Sequence, residues 1–580
     1  MASKKTILRI GDYSDSFAQI KLPQLLHEVD GLYNMHFNKW GRIVKRNGYT
    51  KYNTNTINAD HAITGLHRFY KQNTTNAYTL VACNTSIYKL ADTTGHAASS
   101  IKSGLTADSE THFADYQDHC YIANGAENLM KYDGNNVRDA GIEVPAAPTF
   151  DSNIDGSLEE GTYHYKVTYV DEDGYEGNPS EASAAMSALA DPNDGIKIVI
   201  PVSTDSKITK RRIYRTAVNG ARYYYDGEVA DNTTTVYNST SSDDDLVTLI
   251  EADHDAPPAA PDNVYKRLSR LMVSKNHELY ISNISYPEYM PSGKKIPTGN
   301  REKIKGMAEQ LHVLQVLTEN AVDRLVGTDF TNFEYRKNYC SEGSMASRSI
   351  VLADNALVYL GFDGIYIMKE VNQAQELNPL LSDYITANIN RAYIGLSSAV
   401  YYDHKYFLSY PKGTSVVPNE TIYYDFRTGN YGVYNFGFNC YTRLNRGIDS
   451  DILLAGSATE GRVYEYVGLD DDGANIEAYF ETMPINFGYP ELKKKVYDIY
   501  LKLKTTTGTN LRLYYTLDNR SETYKDKTLI ADTTQWHRIR LSSGGYECRE
   551  IRIRPYMNDK YNWEIHGIGI VYQLGEPEYA

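Results

Sequence analysis

Cysteine is scarce in this chain. Only five cysteines occur among its 580 residues. They are Cys83, Cys120, Cys340, Cys440 and Cys548. A disulfide framework shows an even, dense set of cysteines, and a zinc ribbon shows closely spaced pairs. The sequence therefore predicts neither of them.

Long apolar runs are also missing. No stretch of about 18 apolar residues occurs, so no membrane-spanning helix is predicted. The first residues carry basic side chains, but Gly11 and Asp12 interrupt before the apolar core of a signal peptide could form. We therefore expect the chain to be made in a cytoplasm.

Positive charge is in deficit. The chain has 59 Lys and Arg residues against 74 Asp and Glu residues, which gives a formal net charge of −15. Proteins that wrap nucleic acid neutralise phosphates with Lys and Arg, so this balance argues against such a protein. It is compatible with a protein past which DNA slides without being held.

Tyrosine, in contrast, is abundant. The chain has 52 tyrosines beside 14 Phe and 3 Trp. Tyrosine favours strands and half-exposed surfaces, because its ring can be buried while its hydroxyl stays hydrated. The length is enough for about three or four packing units. We therefore expect an all-β protein with a large surface.

Short alternating strands separated by Gly-bearing turns recur at intervals of roughly 40–60 residues. Residues 78–90, 270–282 and 356–368 are examples. Each unit has an apolar face that it cannot bury alone, and radial packing in a ring buries all such faces while leaving few open edges. The units have no WD dipeptide and no kelch double glycine. We predict a divergent β-propeller and leave its blade count open.

The recurring strand pattern is interrupted by two Pro/Ala-rich stretches, residues 144–148 and 256–261. Proline does not fit central strands, so these stretches bracket a separate unit. Short strands at about 10–15-residue spacing between them predict a small antiparallel sandwich. The sequence of residues 161–180 resembles fibronectin type III-like modules of viral and bacterial surface proteins.

The strands lengthen and alternate strictly from residue 474, which predicts a second sandwich. Residues 382–390 are the one stretch for which we predict a short helix. The predicted organisation has four parts: an N-terminal segment with the first propeller blades (1–145), a fibronectin type III-like insertion (146–260), the remaining blades (261–473) and a C-terminal β-sandwich (474–580).

No catalytic, metal-binding or cofactor-binding motif stands out, so we predict no catalytic residue, no metal site and no cofactor. The Asp-rich turns at 171–174 and 470–473 lack the alternating ligands and terminal Glu of a calcium loop. A polysaccharide-cleaving propeller stays open as a third interpretation, because 74 scattered carboxylates include many pairs that could act as acid and nucleophile. Asp363 and Asp425 are candidates under that interpretation.

Most tyrosines are expected to fill blade faces and cross-strand pairs. Tyrosine is also enriched where proteins or sugars dock. Runs of consecutive tyrosines are therefore the candidate interface residues: Tyr223, Tyr224, Tyr225, Tyr401 and Tyr402.

Three stretches together carry a family resemblance. Residues 29–48 (VDGLYNMHFNKWGRIVKRNG) resemble the N-terminal phrase GxxNxxxxxxGxxxxRxG of the tail nozzle proteins of short-tailed bacteriophages, also described as tail tubular or tail stabilisation proteins. Residues 314–327 and 343–366 resemble two blades of that family, LxVxTxxxxxxLxG and GxxxxxSxVxxxxxxxYLGxDGIY. The likeness runs loosely over residues 25–475, and the insertion and the C-terminal sandwich depart from it.

The resemblance implies a propeller subunit of a homohexameric ring at the distal end of a virion tail. Such a ring would sit below the tail adaptor protein, continue or close the channel for double-stranded DNA, and open on ejection. It would be assembled in the host cytoplasm, hold tail fibres or receptor-binding proteins, and let DNA pass without specific binding. Function tends to collect in long Pro/Gly-rich loops, so the candidate channel or gate loop contains Tyr289, Lys294, Lys295 and Lys305.

A second interpretation belongs to a different class. A glycan-binding or adhesin-like propeller at a cell or virion surface explains the many tyrosines equally well. It does not explain the nozzle-like phrases, and we keep it as the alternative.

Overall fold

The computed structural model describes residues 5–16, 18–25, 28–71, 77–370, 373–445, 451–506, 508–530 and 533–575. Strands far outnumber helices among these residues, so the all-β class is confirmed. The α-helix of this part, α1 (Pro379–Asn388), begins three residues before the predicted stretch because Asn378 caps it and Pro379 fills its first position. None of the helices in the described part is long and apolar enough to cross a membrane.

The N-terminal segment and the first two blades contain fourteen strands. The segment holds β1 (Thr6–Gly11), β2 (Ile20–Lys21), β3 (Leu32–Tyr33), β4 (Met35–Phe37), β5 (Ile43–Lys45) and β6 (Thr50–Lys51). Blade 1 holds β7 (Ile63–Tyr70), β8 (Ala77–Cys83), β9 (Ser86–Leu90) and β10 (Ala98–Ser103). Blade 2 holds β11 (His112–Tyr116), β12 (His119–Ala123), β13 (Met130–Tyr132) and β14 (Val137–Asp139).

The insertion follows blade 2. Its strands are β15 (Thr149–Ile154), β16 (Gly161–Tyr163), β17 (Tyr165–Asp171), β18 (Met186–Ala188), β19 (Gly195–Val199), β20 (Ile208–Thr216), β21 (Tyr223–Val229) and β22 (Val236–Ser239). They form two three-stranded sheets, β15-β19-β22 and β17-β20-β21, and the pair β16-β18. The sheets enclose their own core, which includes Tyr163, Tyr165, Val167, Ile198 and Ile213.

Blades 3 to 7 follow the insertion. Blades 3 and 4 hold β23 (Asn263–Arg267), β24 (Arg270–Lys275), β25 (Glu278–Ile281), β26 (Ile296–Pro297), β27 (Gly306–Gln310), β28 (Val313–Leu317), β29 (Val322–Val326) and β30 (Glu334–Cys340). Blades 5 and 6 hold β31 (Val351–Ala353), β32 (Ala356–Leu360), β33 (Ile365–Met368), β34 (Gln375–Glu376), β35 (Ser398–Tyr402), β36 (Lys405–Tyr410), β37 (Glu420–Asp425) and β38 (Tyr431–Tyr434). Blade 7 holds β39 (Phe438–Asn445), β40 (Asp451–Ser457) and β41 (Val463–Glu465).

The first strands of the seven blades contact one another in a closed cycle, from β7 through β11, β23, β27, β31, β35 and β39 back to β7. This is the arrangement of a seven-bladed propeller. Blade 7 takes its fourth strand, β6, from the N-terminal segment, with Lys51 opposite Tyr464. A strand from the far end of the chain therefore closes the ring.

The chain ends in a sandwich of β42 (Ile476–Phe480), β43 (Lys494–Thr505), β44 (Asn510–Leu517), β45 (Thr523–Thr528), β46 (Gln535–Arg540), β47 (Tyr546–Cys548), β48 (Ile551–Asp559) and β49 (Trp563–Leu574). One of its sheets has the order β2-β1-β49-β43-β46, with β4, β5 and β47 attached. The other is a nine-stranded sheet that starts in blade 6: β35-β36-β37-β38-β3-β42-β48-β44-β45.

The N-terminal segment precedes blade 1 in the sequence, but its strands belong to other units. Strands β1 to β5 are part of the two sandwich sheets, and β6 is part of blade 7. No local pattern indicates this, because its strands are short and their partners lie near the other end of the chain: Thr6 is opposite Tyr572. The sandwich core follows the alternation that its strands show, with Leu511, Leu513 and Tyr515 of β44 facing inward.

Candidate functional site

Two cavities lie on the propeller axis, because residues of the inner strands line both of them. The larger, of about 220 Å³, is lined by residues that include Glu110, His112, Asn263, Lys305 and Ser347. The smaller, of about 170 Å³, is lined by residues that include Gly65, His112, Arg348, Ser398 and Tyr441. His112 therefore borders both cavities.

A charged group, which we call the axial cluster (Glu110, His112, Ser347 and Arg348), stands between the cavities. His112 Nε2 lies 3.2 Å and Arg348 Nε 3.4 Å from Glu110 Oε1. The hydroxyl of Ser347 donates to the carbonyl of Lys305 at 2.6 Å. Burial alone would raise the pKa of Glu110, but Arg348 and His112 lower it to about 2. Glu110 is therefore an anion at neutral pH.

The size of the cavities decides what the propeller axis can carry. Spaces of about 220 and 170 Å³ hold water or a small molecule. A nucleic acid duplex is far wider than either, and the axial cluster stands across its path. Duplex DNA does not fit along the axis of one propeller.

Of the four residues predicted for a channel or gate loop, Lys305 alone lines an axial cavity. Its Nζ lies 3.5 Å from Glu319 Oε2. Lys294 holds its Nζ 4.4 Å from the ring centre of Phe330, and Lys295 pairs with Glu278 at 2.9 Å. The structure therefore does not bring the four residues together at one opening.

Tyr289 lies where the insertion meets blade 3, and its side chain is buried. Its ring stacks on His254 with the ring centres 4.2 Å apart. Its hydroxyl accepts a hydrogen bond from the backbone N–H of Glu176 at 2.6 Å. Proline and glycine around Tyr289 suggested a free loop, but long-range contacts turn this segment into an anchor for the insertion.

A buried ion cluster reinforces the same junction. Lys131 of blade 2 lies 2.8 Å from Glu288 Oε1, 2.7 Å from Asp173 Oδ2 and 3.5 Å from Asp171 Oδ2. Burial alone would lower the pKa of Lys131, but Glu288 and Asp173 raise it above its ordinary value. The cluster joins blade 2, the insertion and blade 3, and no sequence pattern signals it because its members come from three distant segments.

The predicted interface tyrosines fall in two places. Tyr223, Tyr224 and Tyr225 lie on β21, where Tyr225 is 37% exposed and donates its backbone N–H to Thr248. Tyr401 and Tyr402 are half-buried in blade 6, where they contact the rings of Phe426 and Tyr466. Those two side chains therefore pack within the chain, and Tyr225 is the most exposed of the five.

The residues of the first family-like stretch build a single joint. The Asn34 amide oxygen accepts from Arg46 Nε at 2.7 Å and from the backbone N–H of Asn435 at 2.9 Å. Asn34 Nδ2 donates to the carbonyl of Glu477 at 2.7 Å. Arg46 binds both carboxylate oxygens of Asp471, at 2.8 and 2.7 Å. The joint ties the N-terminal segment to blade 6, to the sandwich and to the segment between blade 7 and the sandwich.

Glycines of the resemblance occupy places where a side chain does not fit. A Cβ on Gly48 would lie 1.8 Å from the carbonyl oxygen of Asp470. A Cβ on Gly343, which begins the third stretch, would lie 2.4 Å from the carbonyl of Thr318 in the second stretch. The motif residues thus have roles in packing that the structure makes explicit.

Two groups of side chains have the chemistry of metal ligands, although the sequence predicted no metal site. The ligand atoms of His67, Asp115 and Cys120 lie within 4.8 Å of one another, as do those of Asp155, Asp191 and Asp194. In the first group, His67 Nε2 is hydrogen-bonded to Asp115 at 2.7 Å, and Cys120 is buried. That close contact is an internal hydrogen bond between blades 1 and 2.

The two suspected catalytic carboxylates are engaged in local contacts. Asp425 is buried and accepts the backbone N–H of Arg427 at 2.8 Å. Asp363 accepts the hydroxyl of Tyr366 at 2.6 Å. Asp425 therefore stabilises the turn that follows β37, and Asp363 holds the hydroxyl of a nearby tyrosine.

The outer face of the sandwich sheet carries a trough that the sequence did not predict. The trough has a volume of about 570 Å³, and its lining includes Arg9, Asp15, Tyr500, Lys502 and Trp536. Trp536 is 45% exposed. The alternation in β43 and β46 indicates that Tyr500, Lys502 and Trp536 point outward. The sequence does not show that these strands lie beside β49 and β1, so it could not predict the trough.

The fold defines an all-β protein with a seven-bladed ring, an inserted sandwich and a terminal sandwich. No family model matches the chain, and no curated protein matches it. Among solved structures, it is similar to the extracellular domain of a one component system from B. thetaiotaomicron, with 10% identity, a TM-score of 0.25 and coverage of 89% of this chain and 77% of that one. It is also similar to BBS1N in complex with ARL6DN, with 9% identity, a TM-score of 0.26 and coverage of 73% of this chain and 98% of that one. For exo-beta-1,3-galactanase from Phanerochaete chrysosporium, the identity is 9%, the TM-score is 0.18, and the coverage is 91% of this chain and 100% of that one.

Proposed function

We propose that this chain is a structural virion protein that forms the distal tail nozzle ring of a short-tailed bacteriophage. It continues or closes the DNA channel and takes part in host attachment and DNA ejection. In this proposal the chain has a mechanical role without a catalytic step. It is assembled in the host cytoplasm and acts in the virion tail.

The observation that carries the proposal is the Asn34–Arg46–Asp471 joint. The first stretch that resembles nozzle proteins supplies Asn34, Arg46 and Gly48. These residues fasten the N-terminal segment to the sandwich and to the segment that joins the sandwich to blade 7. The motif thus encodes an architecture rather than a reaction. The motif at residues 29–48 fixes the position of the propeller relative to the sandwich. A chain with such a motif is suited to be a subunit of a larger assembly.

The filled propeller axis adds a constraint on that assembly. Since duplex DNA does not fit along the axis of one chain, the channel of the proposed nozzle lies between copies, and we propose a homohexamer. The net charge of −15 supports this role, because acidic walls repel phosphates and let DNA slide. The remaining proposed partners are the tail adaptor protein above the ring, tail fibres or receptor-binding proteins at its rim, and passing double-stranded DNA.

Mass photometry combined with negative-stain imaging of the purified protein tests the proposal, alone and with its adaptor. We expect six-fold rings whose lumen admits duplex DNA. Particles that stay monomeric in the presence of the adaptor, or rings too narrow for a duplex, would contradict it.

The second candidate function is a glycan-binding or adhesin-like propeller at a cell or virion surface. The exposed Trp536 and its neighbour Tyr500 in the sandwich trough favour it, because aromatic faces bury the apolar faces of sugar rings. Binding of a polysaccharide by a protein that forms no ring would support this candidate over the nozzle.

A further inference from the structure

We propose that the sandwich trough binds an acidic oligosaccharide. The inference rests on the attachment part of the proposed function. It concerns the sheet face formed by β1, β49, β43 and β46, where the contacts define a floor, an aromatic wall and two cations that form no ion pair within the described part of the chain.

The floor of the trough is formed by β49, where Gly567 and Gly569 lie opposite Gly11 and Arg9 of β1. The two glycines of β49 keep the centre of the sheet low, whereas Gly11 lies under Asp15, whose Oδ2 would be 2.7 Å from a Cβ on Gly11. The opposite face of the same strands is packed into the sandwich core, with Ile568 and Ile570 fully buried. The floor is therefore backbone held in place by the core.

The aromatic wall comes from β43 and β46. A Cβ on Gly567 would lie 3.4 Å from the Trp536 indole, and one on Gly569 would lie 3.7 Å from the indole and 3.4 Å from Tyr500 Cβ. Trp536 therefore reaches across β43 to the glycine positions and presents the rest of its ring to solvent. An indole supported from below is a platform on which the C–H face of a sugar ring loses contact with water.

The charges of the trough select the class of sugar. Arg9 is exposed and Lys502 is half-buried; both line the trough, and neither forms an ion pair with a described residue. Of the two carboxylates in the lining, Asp12 is paired with Arg42 at 2.8 Å, and Asp15 lies against Gly11 of β1. Two unpaired cations beside an aromatic platform suit a carboxylate on a sugar, which guanidinium binds through two parallel hydrogen bonds.

The dimensions agree with an oligosaccharide. A trough of about 570 Å³ falls within the range of about 300–1,000 Å³ that ligand sites occupy. It is a shallow cleft on a rigid sheet, so a polymer can enter from the side and continue beyond it. Attachment to acidic surface polysaccharide is the use that this shape supports.

The test measures binding of the full chain to a panel of immobilised polysaccharides. The acidic members are polygalacturonate, alginate, colominic acid and hyaluronate, and the neutral members are dextran and amylose. We expect at least one acidic member to bind and the neutral ones to bind at least tenfold more weakly. Trp536→Ala should reduce the affinity at least tenfold, and Arg9→Glu should reduce it similarly without removing the platform.

Matched controls separate the trough from the rest of the surface. Tyr524→Ala removes an exposed aromatic side chain from the other sheet, and Lys560→Ala removes an exposed cation; both should bind like the unaltered chain. Failure of every acidic polysaccharide to bind, or binding by Trp536→Ala and Arg9→Glu that is as tight as that of the unaltered chain, would overturn the proposal.

Ring formation is scored on the same samples. If Trp536→Ala breaks the ring, a second copy of the chain occupies the trough, and the glycan proposal is wrong while the nozzle proposal stands. If Trp536→Ala loses glycan binding but still forms rings, the trough is the attachment site. If the unaltered chain binds glycan but forms no ring with the adaptor, the nozzle proposal fails alone.

Discussion

Arg46 and Asp471, 425 residues apart in the sequence, form a two-pronged ion pair with donor–acceptor distances of 2.8 and 2.7 Å. The side chain of Arg46 is fully buried, and it also contacts Asn34 and Asn435. The pair lies where the chain enters the blade ring and where it leaves it. This position makes one arginine responsible for holding both ends of the propeller together.

Replacing Arg46 tests this role directly. Arg46→Met leaves the Asp471 carboxylate and the Asn435 amide oxygen without the donor that Arg46 provides, and it removes one of the two donors to the Asn34 amide oxygen. We therefore expect a loss of about 3–5 kcal/mol in the free energy of unfolding. Urea denaturation followed by circular dichroism measures it. Arg512→Met is the control, since Arg512 pairs with Asp526 at the surface. A similar loss in the free energy of unfolding in both variants would contradict the proposed role of the joint.

Gly48 should tolerate no side chain. Gly48→Ala would place a methyl group 1.8 Å from the carbonyl oxygen of Asp470, a backbone atom that cannot move without displacing the segment between blade 7 and the sandwich. We expect little or no folded protein on expression. Gly293→Ala, in open space, should change stability by less than about 1 kcal/mol. Normal yield and Tm for Gly48→Ala would show that the joint is more adaptable than its geometry indicates.

The junction of the insertion should depend on Lys131. Lys131→Met leaves the buried carboxylates of Glu288 and Asp171 without their cation, and we expect a loss of about 3–5 kcal/mol. Limited proteolysis should then cut the linker at 251–261 earlier than in the unaltered chain. The double variant Lys131→Met/Glu288→Gln should recover part of the resistance. Equal cleavage of the single and double variants would exclude the ion cluster as the cause.

The axial cluster predicts a dependence of stability on pH. The pKa of Glu110 is lowered from 4.5 to about 2 in the folded chain, so its ionised form stabilises the fold above pH 4.5. That contribution disappears as the pH falls from 4.5 towards 2. The Tm difference between the unaltered chain and Glu110→Gln should therefore be largest at neutral pH and shrink on acidification. Glu251→Gln, at an exposed site, should show a constant small difference.

Local patterns allowed much of the strand content to be predicted. The alternation in residues 356–368 predicts a hairpin, and β32 and β33 form it. The short helix was predicted within three residues of its true start, and the cap formed by Asn378 and Pro379 explains the difference. In both cases the residues that determine the structure are close together in the sequence, so a local sequence pattern is enough to predict it.

The parts that could not be predicted depend on distant partners. Thr50 and Lys51 form the closing strand of blade 7, yet two residues carry no periodicity. Tyr289 is an anchor because His254 and Glu176 reach it from the insertion. The trough exists because β1, β49, β43 and β46 are neighbours in space, an order that no sequence period encodes.

The pairing of the two chain ends sets the order of folding during synthesis. Strands β1 to β6 leave the ribosome before the blades, but β1 pairs with β49, β3 with β42 and β6 with β41. Within this segment β1 can pair with β2 and β4 with β5, but β1, β3 and β6 lack these late partners until β41, β42 and β49 have been made. Blades 1 to 6 can form their own hairpins before that. Ring closure therefore follows the synthesis of blade 7, and the pairing of β1 with β49 follows later still, so part of the N-terminal segment stays exposed through most of synthesis.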